Sequence, residues 1–185
     1  MIGIFERIAS TLFHTATGDP KKRWILTPVV GILFLCFMAL FFLVSFAVDR
    51  WLHFPSIKYL PWTLIIAIIL LIPGIVFWAW TLVLFFKARG TPVPINPPKK
   101  LVTTGVYGFS RNPMMTGIYL VFFGLGLLVG SLSLTFIFTP LFIIIMTVYA
   151  RIVEERELEI QFGQEYLDYK KKVGMYLPRL TRPSK

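Results

Sequence analysis

The sequence predicts an all-α integral membrane protein with four transmembrane helices, and three observations carry that prediction. Of 185 residues, 56% are hydrophobic and only 15% charged, where soluble domains average about 45–50% and about 25%. The mean hydropathy is +0.74, and the apolar residues gather in four long runs rather than in short amphipathic stripes. The 19 Lys and Arg against 9 Asp and Glu give a net charge of +10, and the basic residues stand at the edges of those runs. In a soluble chain such a charge would point to nucleic acid. Here membrane orientation and anionic headgroups account for it, and no nucleic-acid partner is expected.

The whole chain, 1–185, reads as a single membrane domain. Residues 1–23 form an N-terminal interfacial segment in which Ile2, Ile4, Phe5, Ile8, Leu12 and Phe13 recur at helical spacing. The first span covers about 24–48, bounded by Lys21-Lys22-Arg23 and Asp49-Arg50. It exceeds the roughly 7–15-residue apolar core of a secretory signal and therefore reads as a retained anchor. Asp49 at its end is read as an ordinary interfacial charge. The second span, about 60–86, carries Pro73-Gly74 near its middle, a pair that removes an amide donor and kinks a helix. Spans three and four, about 114–130 and 132–150, are separated by Ser131 and form a tight helical hairpin. Gly117, Gly124, Gly126 and Gly130 in the third permit close helix approach or border a ligand cleft. One cysteine, Cys36, allows no intrachain disulfide.

Lys and Arg number four before the first span, two in 49–59, none at the 131 turn, five in 87–113 and eight from Arg151 on. The bias predicts both termini and the 87–113 loop on the cytoplasmic side, with a multi-pass location in a bacterial inner membrane or an endoplasmic-reticulum-type membrane. The two stretches richest in polar chemistry then share one membrane face.

The first of these, the loop 87–113, has prolines at 92, 94, 97 and 98 that favour extended backbone, while Gly105 and Gly108 permit turns. By composition it reads as a stiff linker. Its end is more informative: Asn112 suits a helix N-cap and Pro113 the first helical position, which aims the amide end of helix three into the loop, where a carboxylate or phosphate could be received. The second stretch, 151–185, continues span four as a cytoplasmic helix and tail. Arg151 and Glu155 fall there at i,i+4, either as a surface ion pair worth a few tenths of a kcal/mol or as a site for a charged or hydroxylated ligand. There is no H-E-x-x-H, Walker A or G-x-G-x-x-G motif. His14 and His53 stand alone on opposite predicted sides, so no metal site is expected.

Leu101-Val-Thr-Thr-Gly-Val-Tyr107, then Ser110-Arg-Asn-Pro113, a Gly-rich hairpin, and Glu154-Glu155 followed by Phe162-Gly-Gln-Glu-Tyr166 and Tyr169 form an ordered set over about residues 89–180. In that combination the chain resembles the isoprenylcysteine carboxyl methyltransferase and phospholipid methyltransferase superfamily of integral membrane enzymes. The resemblance implies a cytoplasmic cofactor site formed by the 87–113 loop and the C-terminal helix, with S-adenosylmethionine as cofactor. It implies that Lys100, Leu101 and Val102 line the adenosine pocket with Tyr107 beside it. Asn112, Pro113 and Met115 would occupy positions of the family's Arg-His-Pro-x-Tyr motif, Glu155 would hold the cofactor, and Arg151 would face and orient the methyl acceptor. The implied reaction is in-line methyl transfer to a carboxylate, amine or thiol of a lipid or other lipophilic acceptor, which could enter laterally near Pro73-Gly74.

This sequence departs from the family at two positions, with Asn112 where a histidine is usual and Met115 where a tyrosine is usual. Asparagine can accept or donate a hydrogen bond but carries no imidazole proton, and methionine donates none. Those departures sustain an alternative, a non-catalytic four-span protein that retains the scaffold as a small-molecule binder or packing partner. A transporter is disfavoured, because the spans hold no charged residue facing a pathway.

Overall fold

The computed structural model describes residues 18–57, 61–93 and 96–179, and every regular element among them is helical. The expected amphipathic N-terminal helix falls on residues outside the described ones. Helix α1 is Pro20–Trp51, α2 is Pro61–Lys87 and α3 is Pro113–Val129. Each begins on a proline, whose fixed φ suits the first helical turn and whose missing amide would have no intrahelical acceptor there. At α1 the Asp19 carboxylate also accepts from the Lys21 amide at 2.9 Å.

After a turn at Gly130 the chain runs as one long helical stretch from Leu134 to Phe162 whose winding changes along it. It consists of a π-helical turn Leu134–Phe138, α4 Thr139–Tyr149, a second π-helical turn Ala150–Glu154, and α5 Glu155–Phe162. The first wide turn immediately precedes Pro140, whose ring would crowd the carbonyl four residues back in a normal α-helix. Gly163, at φ 54° and ψ −128°, then separates α5 from α6, Gln164–Lys172. That backbone geometry is open to glycine and strongly disfavoured for any residue with a Cβ.

Three stretches are long and apolar enough to cross a bilayer: Arg23–Trp51, Pro61–Lys87 and Leu134–Phe162, with mean hydropathies of 2.8, 2.5 and 2.1. The 17-residue α3 is shorter. At about 1.5 Å per residue it reaches about 26 Å, close to the thickness of a hydrocarbon core. With exposed Ile32, Leu33, Ile65, Ile69, Ile72 and Ile144 offering apolar surface to lipid, the protein is an integral membrane protein of all-α architecture. The α2 helix continues unbroken through Pro73.

Residue contacts cluster into two compact units, and several helices contribute residues to both. The apolar unit comprises Ile32–Ala79 and Met114–Met146. Its centre is Phe142, fully buried and ringed by Phe37, Phe41, Tyr119 and Phe122 at centroid separations of 5.9, 5.4, 6.1 and 4.9 Å. The α2 and α3 backbones meet at Gly74 and Gly117, where a Cβ on Gly117 would stand 2.7 Å from the Gly74 carbonyl oxygen. This close approach is the packing role expected of the third span's small residues. Asp49 does more than mark an interface: its Oδ1 accepts from the Ser133 amide at 2.9 Å, its Oδ2 accepts from the Ser131 hydroxyl, and Ser131 Oγ accepts from the Leu134 amide. A carboxylate from α1 thus caps the start of the returning helix. The second unit comprises the chain up to Gly31, Trp80–Pro113 and the chain from Thr147 on, and holds the polar chemistry.

Candidate functional site

In the polar unit, the loop after α2 and the segment after α5 are laced together over long sequence distances. The loop starts by folding on itself, with the Thr91 amide donating to Asn96 O and the Asn96 amide to Val93 O, both at 2.9 Å. A short 3-10 turn, Gly105–Gly108, presents Tyr107 inward. The Tyr107 ring packs edge-on against Phe85, and its carbonyl accepts a 2.7 Å hydrogen bond from Tyr169 Oη. Beyond it, Ser110 Oγ donates to Met175 O, the Arg111 amide to Gly174 O and the Asn112 amide to Met175 O, all within 2.9 Å. Tyr166, Tyr169 and Val173 form the buried core of this region, with Leu101, Leu158 and Phe162 packed on it.

At the centre lies an ion network. The Arg111 guanidinium pairs with Glu155 Oε1, donates to Tyr166 Oη at 3.1 Å, and through Nε reaches Val173 O at 2.9 Å. Lys170 Nζ bridges Glu155 Oε2 at 2.6 Å and Glu159 Oε1 at 3.0 Å. The Arg111 and Glu155 side chains are only 10% and 11% exposed, so this pair works in a medium less screening than water. Burial alone would lower the pKa of the Lys170 ammonium, but its hydrogen bonds to Glu155 and Glu159 prevail and raise it. The Tyr166 phenol is pushed up to about 12, by burial first and then by the Glu155 charge, with Arg111 opposing. Burial likewise raises Tyr107 and Tyr169.

Of the residues singled out in the sequence, the structure brings Leu101, Tyr107, Asn112 and Glu155 into the laced polar unit. Leu101 packs on the tyrosine core, Tyr107 is buried beside it, and Glu155 stands in the ion network. Pro113 is fully buried at the start of α3, Asn112 and Val102 are half-buried, and Lys100 is exposed. Met115 is buried in the first turn of α3. Arg151 behaves differently from its expected pairing: it is exposed and has no ion pair among the described residues, while Glu155 takes Arg111 and Lys170. The reason is local, since the winding from Ala150 to Glu154 is π-helical and Arg151 and Glu155 do not have the stacking of an α-helical i,i+4 pair.

Sequence reasoning assigned no role to Arg111, Lys170 or Glu157. Arg111 immediately precedes Asn112-Pro113, and its adjacency to that motif was the available signal. Glu157 is 5% exposed and its Oε1 has no hydrogen-bond partner among the described residues. Nothing in its spacing distinguishes it from the other acids of α5.

A model of the phospholipid methyltransferase family matches residues 62–165, more than half of the chain. Among solved structures, the chain resembles the eukaryotic intramembrane Ras methyltransferase, isoprenylcysteine carboxyl methyltransferase, with a TM-score of 0.60 and 22% identity. That superposition covers 76% of this chain and 52% of the enzyme, so the chain spans about half of the enzyme's length. At this identity the likeness speaks to the fold alone. No curated protein sequence gives a match.

Proposed function

From its membership of the phospholipid methyltransferase family, to which this chain belongs, we propose that the protein is an S-adenosylmethionine-dependent methyltransferase acting on a lipophilic or membrane-associated acceptor. The observation that carries the reading is the lacing of the 96–112 loop to the 155–175 segment through Arg111–Glu155, Tyr169–Tyr107 and Ser110–Met175. Those are the two stretches from which the cofactor site was expected to be built.

The residues fit such a cofactor. A carboxylate has about four lone-pair sites, so Glu155 can take a further ammonium or hydroxyl donor beside Arg111 and Lys170. Leu101, Val102 and Tyr107 supply apolar and aromatic surface for an adenine ring, and Lys100 borders it. The buried Glu157 Oε1, without a hydrogen-bond partner among the described residues, is a further acceptor in the same helix.

When bound, S-adenosylmethionine supplies an electrophilic methyl group. The chain's task is then alignment and exclusion of water, which convert a bimolecular encounter into an intramolecular one. Exposed Arg151 would meet and orient a carboxylate, phosphate or carbonyl of the acceptor, and Asn112 would orient by hydrogen bonding without carrying a proton. The acceptor group is a carboxylate, an amine or a thiol. Both chain ends and the laced loop are placed by it on the cytoplasmic side.

The test is calorimetry of S-adenosylhomocysteine against the purified protein in lipid nanodiscs, followed by transfer of labelled methyl to membrane lipids. Binding with transfer supports the enzyme. The substitution of the family's usual histidine and tyrosine by Asn112 and Met115 favours a second reading, a non-catalytic scaffold, which binding without transfer would support. Absence of binding would sink the proposed cofactor.

A further inference from the structure

Two segments of the polar unit stand at the level where membrane helices end. The first is the turn Gly105–Gly108, which lies against the last turns of α2: a Cβ on Gly105 would stand 3.2 Å from the Leu84 side chain, and the Tyr107 ring packs on Phe85. Both α2 residues precede Lys87, the charge that closes the apolar run of that span. The second is the strap 173–179 that follows α6. Tyr176 Oη and Thr147 Oγ1 share a hydrogen bond at 2.9 Å, and Thr147 belongs to apolar α4, four residues before Arg151, the first charge beyond it. At about 1.5 Å per residue, Thr147 is about 6 Å inside that charged boundary. The two segments are tied together, because Ser110 Oγ and the Asn112 amide both donate to Met175 O.

Each segment carries a large apolar side chain that the protein leaves uncovered. Leu177 is 77% exposed, and Phe109, beside Ser110, is 61% exposed. Neither belongs to a spanning helix, so the lipid tails around the spans do not account for them. The strap is also strongly basic. From Tyr169 to Lys185 the sequence has six Lys or Arg and no Asp or Glu. Lys170 is committed to Glu155 and Glu159 and Lys171 to Asp168, whereas Lys172 and Arg179 are exposed and have no ion pair among the described residues. Uncovered apolar side chains beside unpaired cations, at the depth where helices leave hydrocarbon, match the chemistry of an anionic headgroup layer. Apolar atoms there reach the acyl boundary while cations meet phosphates.

We propose that the strap 173–179 and the turn before α3 form a foot resting in the headgroup layer of an anionic leaflet, with Leu177 and Phe109 entering the acyl boundary and Lys172 and Arg179 meeting lipid phosphates. The occupant is bulk anionic lipid rather than a methyl acceptor, and the inference stands apart from the methyltransferase reading. It has a structural consequence. Gly174 O accepts from the Arg111 amide, and Met175 O from Ser110 Oγ and the Asn112 amide. The bend beyond them is tight, since a Cβ on Gly174 would collide with Leu177 O, and this keeps Leu177 close to those carbonyls. The segment that rests on lipid therefore also fixes the chain where it enters α3.

The experiment attaches a nitroxide at Leu177→Cys, Phe109→Cys or Lys171→Cys in a Cys36→Ser background, in nanodiscs of phosphatidylcholine or of an equimolar phosphatidylcholine–phosphatidylglycerol mixture. Collisions with dissolved oxygen and with a water-soluble nickel chelate report the depth of each label. Labels at 177 and 109 are expected to meet oxygen in preference to the chelate, and the label at 171 the reverse. A second arm compares melting temperatures in the two lipids. Wild type is expected to melt higher in the anionic mixture and Lys172→Gln/Arg179→Gln to lose most of that difference, while Lys171→Gln, whose ammonium is already paired with Asp168, keeps it. The proposal is overturned if the label at 177 or at 109 is as open to the chelate as the label at 171, or if the double variant keeps the full lipid difference. Shielding accompanied by spin–spin broadening that persists in detergent identifies a second copy of the chain as the occupant, and overturns it as well.

Discussion

Arg111 and Glu155, 44 residues apart in sequence, meet as a buried ion pair whose second oxygen is held by Lys170. The guanidinium simultaneously binds Tyr166 Oη and Val173 O, so one side chain joins the loop to α5, α6 and the chain beyond. Removing one member of a buried pair strands the other's charge, which costs about 3–5 kcal/mol. Arg111→Ala is therefore expected to lower the melting temperature strongly and to abolish S-adenosylhomocysteine binding. Arg111→Lys is expected to recover little, because an ammonium cannot reproduce the planar fork. Differential scanning fluorimetry and calorimetry on the same nanodisc samples measure both effects.

Tyr169→Phe isolates a single bond of the lacing. It removes the donor to Tyr107 O and leaves the ring packing of Tyr166, Tyr169 and Val173 in place. An unsatisfied buried carbonyl costs about 1–3 kcal/mol, and each kcal/mol shifts a domain of this size by about 2–4 °C. A melting temperature equal to that of wild type would show that water replaces the phenol there.

Alkaline pH is expected to open the polar unit from above. Tyr107, Tyr166 and Tyr169 all have pKa values raised from the ordinary 10.0, Tyr166 to about 12, with burial the leading cause. Such phenols keep their protons in the folded protein after the unfolded chain has released them. Their contribution is intact below pH 10 and falls as pH rises through the folded values. Lys170, also raised, acts in the same direction. Tyrosinate absorbance should therefore show a late step that coincides with loss of folded signal, whereas a single early titration of all tyrosines would contradict it.

Gly117→Ala probes the apolar unit alone. The new Cβ would stand 2.7 Å from Gly74 O and 2.9 Å from the Trp78 amide, both backbone atoms that cannot rotate away. Overpacking of this kind costs about 1–3 kcal/mol, measurable as a lowered melting temperature. An unchanged one would mean that α2 and α3 can separate without penalty.

The spans were legible because hydrophobicity over about 20 residues is a one-dimensional property of the chain. The helix start at Pro113 was equally local, since proline acts through its own φ and missing amide; those at Pro20 and Pro61 follow the same rule but were not singled out in the sequence. The ordered residues from Leu101 to Tyr169 pointed to two segments that the structure laces together. They did not reveal which charge meets which. Spacing offered Arg151 for Glu155, but π-helical winding at Ala150–Glu154 and burial against the loop gave Glu155 to Arg111 and Lys170. Asp49, which looked like an interfacial charge, proved to cap the helix that starts 84 residues later at Ser133.

Composition and periodicity thus determined on their own that this chain is a bundle of membrane helices with polar chemistry concentrated in the 87–113 loop and beyond residue 150. Tertiary structure alone decided the pairing of Arg111 with Glu155 and left Glu154 and Glu157 without an ion pair among the described residues. The physical reason is that partition into lipid sums over neighbouring residues, whereas an ion pair or an orphaned oxygen depends on which distant atoms arrive within about 3 Å of it in the folded chain.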